Sequence, residues 1–117
     1  MFKVIDNCIP VKQQNIIIKE LLQNKKFPWF YRQDITDDLN IELSQQRPAF
    51  THYFILDKNP NSEFLNVVLP IINSLTKKQI IQCRAFLQLP LNLKLIGSKY
   101  DTPHIDFSYP HTVYLYY

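Results

Sequence analysis

Glycine is almost missing from this chain. The 117 residues hold one, Gly97, against eight prolines, so few positions can take a positive φ without a side-chain penalty and the turns must lean on Asn, Asp and Pro. Cysteine is equally scarce. Cys8 and Cys83 lie far apart and form no C-x-x-C pair, which excludes a zinc knuckle and a redox dithiol and makes a reducing, cytoplasmic compartment the expectation. No apolar run approaches the ~18 residues of a membrane span, and Met1 to Asp6 lacks the charged-then-apolar layout of a signal peptide. Neither a membrane partner nor export is expected. Charge of one sign is also thin: thirteen Lys and Arg against ten Asp and Glu give +3, too little and too scattered to imply nucleic acid.

What is present is a core. With 46% hydrophobic, 14% aromatic and 20% charged residues, the composition belongs to a globular chain and not to a disordered one. Its length suits a single domain over 1–117.

The chain reads as α+β, with helices packed on an antiparallel sheet. Phe2 to Ile5 has the composition of a short strand. Pro10 then opens a helical stretch to about Lys25, with Ile17, Ile18, Leu21 and Leu22 expected on one buried face. Phe27 to Tyr31 is an extended aromatic segment, and the polar run from Gln33 to Gln46 is loop-like. Ala49 to Leu56 alternates as a strand and ends in Asp57-Lys58-Asn59-Pro60-Asn61, a strong turn signal. His52 falls in an apolar row there and is expected to be a hydrogen-bonded sheet histidine. Ser62 to Leu75 returns to helical spacing, with Asn61 or Ser62 as cap and Pro70 as an internal kink. Lys25-Lys26 and Lys77-Lys78 each follow a helical pattern, where cations solvate a helix end or complement its dipole.

From Ile80 the period changes to two. One face carries Ile81, Cys83, Ala85, Leu87 and Leu89, and the other Gln82, Arg84, Phe86 and Gln88. An apolar face covered by helices beside a mixed polar face fits either a pocket lining or an ordinary solvent side.

The segment with chemistry is Asp101-Thr102-Pro103-His104-Ile105-Asp106-Phe107. In extended backbone, residues i and i+2 project to one side roughly 6 to 7 Å apart, so His104 and Asp106 can converge on one ion. An imidazole and a carboxylate are two of the three donors in the facial triad that holds non-haem Fe(II). Three His and seven Asp would give about 0.2 such pairs by chance, so context carries the weight. The pair follows the half-polar strand and precedes an aromatic strand, Thr112 to Tyr117, after a turn at Ser108-Tyr109-Pro110. That order suits a pocket inside a rolled antiparallel sheet.

Pro103-His104-Ile105-Asp106-Phe107, with His111-Thr112-Val113-Tyr114-Leu115-Tyr116-Tyr117 after it, resembles the first half of the catalytic core of the Fe(II)- and 2-oxoglutarate-dependent dioxygenases, in particular their prolyl-hydroxylase-like microbial and phage branch. The resemblance spans the element order of nearly the whole chain, and its sequence-specific part is 103–117. It implies a partial double-stranded β-helix, or jelly roll. His104 and Asp106 match the first two iron ligands. Tyr117 matches a tyrosine that hydrogen-bonds the distal carboxylate of 2-oxoglutarate, with Leu115 on the same inward face, and Arg84 and Gln88 become candidates for lining the co-substrate or substrate site.

The resemblance also implies a third ligand, a later His, and an Arg or Lys for the 2-oxoglutarate carboxylate, both beyond position 117. His111, seven residues after His104, is a poor substitute. The chain is therefore expected to be the N-terminal part of a longer oxygenase and inactive alone. Two rival expectations stand beside it: a non-catalytic interaction module that uses an exposed sheet edge, where a second copy could pair as a homodimer, and a hydrolytic metal site built from His104, Asp106 and His111.

Overall fold

The computed structural model describes residues 2–33, 47–90 and 106–117. The element order is α1 (Val11–Ile18), β1 (Phe30–Arg32), β2 (Ala49–Leu56), β3 (Asn59–Pro60), α2 (Leu65–Leu75) and β4 (Cys83–Gln88), with a π-helical turn, Lys19–Gln23, continuing α1. The described residues form a small α+β arrangement of two helices and a four-stranded sheet. In the sheet β1 and β3 pair antiparallel with β2, and β4 also pairs with β2. A jelly roll is a finer description than these elements support.

The chain divides into two units, one of residues 1–28, 53–84 and 114–117, the other of 29–52 and 85–113. In the first, Pro10 starts α1 by leaving its carbonyl to accept from the amides of Gln13 and Gln14, at 2.9 and 3.1 Å. Its φ of −60° already suits helix entry, and it has no N–H to lose. The helix ends at Asn24, whose backbone is extended. There the Asn24 side chain accepts from the Lys26 amide at 2.9 Å and donates to Glu20 at 3.0 Å. Short Asx contacts of this kind compete with helical hydrogen bonds and so stop a helix.

The inward side of α1 is narrower than the periodicity predicts. Ile17 and Leu21 are half-buried, but Ile18 and Leu22 are 46% and 63% exposed and α1 has no fully buried residue. At 100° per residue, Ile17 and Ile18 cannot both face one narrow contact, and Ile17 takes the inward position. Helix α2 is preceded by Ser62, whose Oγ accepts from the Phe64 amide at 3.0 Å. Pro70 lies inside α2. Lys77 Nζ reaches the Asn73 carbonyl at 3.4 Å, the predicted use of a cation at a helix C-terminus.

The core of this unit is Ile9, Phe27, Phe54, Ile55 and Val68. Phe27 sits at its centre, edge-on to Phe64 at 5.0 Å and tilted against Phe54 at 6.1 Å. The hairpin turns through Asp57 and Lys58, both at positive φ (48° and 68°), between the paired residues Leu56 and Asn59. Two left-handed residues in a two-residue loop match the twist of the strands, and this chain makes that turn without glycine.

In the second unit β1 pairs with the start of β2 in the register Phe30 to Thr51, Tyr31 to Phe50 and Arg32 to Ala49. Arg47, Ala49, Thr51 and His52 are buried. His52 lies near-parallel to Phe30 at 6.4 Å, and Tyr31 meets Phe50 edge-on at 5.8 Å.

Two expected strands are absent. Residues 2–5 and 112–117 make no ladder, and Phe2, Val4, Leu115 and Tyr117 are 88%, 68%, 60% and 98% exposed. Strand propensity reports fit to a paired, half-buried surface, and neither segment pairs with a strand among the described residues. The strand expected from Ile80 begins at Cys83.

Candidate functional site

Of the residues expected to carry chemistry, His104 lies outside the described residues. Asp106 is exposed, in a bend just before Phe107. The segment after it folds on itself. Phe107 stacks on Tyr109 at 5.3 Å and takes the His111 ring edge-on at 5.2 Å. His111 Nδ1 lies 2.8 Å from the Tyr109 carbonyl, and because a carbonyl only accepts, Nδ1 carries the proton. This ring knot gives the 106–111 turn its shape. Among the described residues no group of three His, Cys, Asp or Glu side chains is placed to hold a metal ion.

Arg84, near the start of β4, is half-buried. Its Nη1 donates to the Tyr53 hydroxyl at 3.3 Å, and its guanidinium carbon lies 6.0 Å from the Tyr53 ring centroid. Tyr53 was not anticipated as its partner. The contact joins residues 31 apart in sequence, and only the pairing of β4 with β2 brings them together. Gln88 ends β4 and is exposed, and Tyr117 is 98% exposed.

Both cysteines are free. Burial pushes the Cys83 thiol from its ordinary value near 9.0 up to about 11, so it stays a neutral, apolar-like group through the physiological range. Tyr116 is also raised, first by burial and then by negative charge on Cys8, which places the Cys8 sulfur within electrostatic reach of that phenol.

Asp106 presents an exposed carboxylate, a donor type that first-row divalent ions accept. No described helix is long and apolar enough to cross a membrane. No protein-family model, curated protein or solved structure matches this chain.

Proposed function

We propose that the chain carries the first half of the metal site of an Fe(II)- and 2-oxoglutarate-dependent dioxygenase, with His104 and Asp106 as two iron ligands. The reading rests on one observation, the run Pro103-His104-Ile105-Asp106-Phe107 followed by the uncharged aromatic run to Tyr117. The metal, when bound, supplies activation of dioxygen: one oxygen atom enters succinate as 2-oxoglutarate loses CO₂, and the other enters a substrate C–H bond as a hydroxyl. The protein's part is to hold and orient. Asp106 contributes a charged oxygen donor and His104 a neutral nitrogen. Pro103 keeps the residue before it extended. Arg84, Gln88 and Tyr117 are the residues proposed to meet co-substrate or substrate. A reducing cytoplasmic location suits two free thiols.

The test is calorimetric titration of Mn(II) or Fe(II), with and without 2-oxoglutarate, on this chain and on the chain continued through any downstream coding sequence. Binding that strengthens with 2-oxoglutarate and disappears in both His104→Ala and Asp106→Ala is the expected result. Indifference of both polypeptides to the metal would end the proposal.

One observation favours a second reading, that of an interaction module. Thr112 to Tyr117 carries no charge, lies in no ladder and is exposed throughout, the character of a segment that adds as a strand to a second copy. Sedimentation equilibrium tests it: a dimer dispersed by Val113→Lys/Leu115→Lys, with no metal binding, would select the module.

A further inference from the structure

The net positive charge of the protein has a location. Residues 2–26 hold five lysines, Lys3, Lys12, Lys19, Lys25 and Lys26, against Asp6 and Glu20, while the remaining chain carries eight cations against eight anions. The whole excess of +3 therefore sits in and around α1 and its π-helical continuation. All five lysines are exposed, whereas Glu20 is half-buried and accepts from the Asn24 amide.

The same stretch turns apolar side chains outward. Val11, Ile18 and Leu22 are 67%, 46% and 63% exposed, and their spacing of seven and four residues sets them along one line of the helix. Ile17 and Leu21 are the half-buried apolar side chains of this stretch, so this outer line is a second apolar stripe that the fold leaves exposed. Lys12 and Lys19, both exposed, border it on one side, at positions where long side chains can lift their ammonium groups above an apolar surface.

From this juxtaposition we propose that the outer face of α1 docks on an anionic lipid surface, with Val11, Ile18 and Leu22 entering the headgroup boundary and the flanking lysines meeting lipid phosphates and carboxylates. The charge excludes a symmetric second copy, which would bring lysine against lysine. The shape favours a lipid surface over a protein groove: a convex helix ridge with cations along its border can lie in a membrane interface. Sequence composition had given no reason to expect a membrane, because neither the exposure of Ile18 and Leu22 nor the pairing of Glu20 is visible in a count of charges.

The experiment is cosedimentation of the full chain with vesicles of phosphatidylcholine alone and of phosphatidylcholine mixed with phosphatidylserine. The expected result is binding to the mixed vesicles only, suppressed by salt, and weakened at least about tenfold in either Ile18→Ser/Leu22→Ser or Lys12→Glu/Lys19→Glu. Circular dichroism of each variant guards against unfolding, and the lysine pair, fully on the surface, provides the variant least able to disturb the core. Binding equal on both vesicle types, or unchanged in both variants, would overturn the proposal. So would a failure to bind mixed vesicles at low salt, including the case where Ile18→Ser/Leu22→Ser instead disperses a dimer or releases an acidic protein partner.

Discussion

The guanidinium of Arg84 lies over the ring of Tyr53 and also donates to its hydroxyl, with the carbon 6.0 Å from the ring centroid and Nη1 3.3 Å from the oxygen. One side chain thus satisfies another in two ways across paired strands. Removing the hydroxyl alone, as Tyr53→Phe, should cost about 0.5–1.5 kcal/mol. Arg84→Ala should cost more by losing its stem packing as well. Urea denaturation of the two single variants and the double variant should give a coupling of roughly 0.5–1 kcal/mol. A coupling of zero would mean that the two side chains act independently.

Phe27 is the side chain on which the aromatic core of the first unit depends. It is 5% exposed and touches Phe54 and Phe64. Truncation to alanine should cost about 3–5 kcal/mol, whereas Phe27→Leu, which keeps most of the volume, should cost clearly less. Thermal melts of the two variants decide this. Equal losses would show that ring geometry, and not filled volume, sets the stability.

The turn at Asp57 and Lys58 offers a stabilising change. Lys58 has φ of 68°, a conformation that penalises a Cβ, so Lys58→Gly should raise stability by about 0.5–1 kcal/mol. Lys58→Ala should give no gain because it keeps the Cβ. Chemical denaturation midpoints compare the two.

Cys83 predicts an alkaline limb in stability. Its thiol titrates near 9.0 when free and near 11 when folded, so between those values the unfolded chain has lost a proton that the folded chain retains. Stability contributed by the neutral thiol is therefore complete below pH 9 and falls as pH rises toward 11, by about 2–3 kcal/mol in all. Cys83→Ala should flatten that limb in a series of melts across the range. A variant with the same alkaline slope as the parent would assign the loss to other groups.

The sequence revealed most where local pattern and tertiary need coincide. Ala49–Leu56 alternates, ends in a turn of Asp and Asn, and is the strand that β1, β3 and β4 all pair with. Leu65–Leu75 likewise follows from its apolar spacing. Phe2–Ile5 and Thr112–Tyr117 have the same strand-forming residues and no ladder, because pairing depends on a neighbour that the segment itself does not encode. Ile18 and Leu22 belong to the same pattern as Ile17 and Leu21, yet only tertiary packing decides which pair turns inward. The contact of Arg84 with Tyr53 was hidden for a related reason, since each residue reads as an ordinary polar position on its own strand. The metal pair is legible only as a motif: Asp106 is described and exposed, and His104 falls outside the described residues.

The tip of the β2–β3 hairpin is fastened from outside. The Lys58 amide donates to the Ile81 carbonyl at 2.8 Å, which makes the stretch from 58 to 81, α2 included, a ring closed by one backbone hydrogen bond. A ring of this kind couples the timing of its parts. Closing it costs loop entropy that grows slowly with the length enclosed, and opening it frees the hairpin tip and the segment after α2 together. In an exchange experiment an amide at a hairpin tip would ordinarily be among the first to gain deuterium, and this one should lag behind its neighbours until the ring opens.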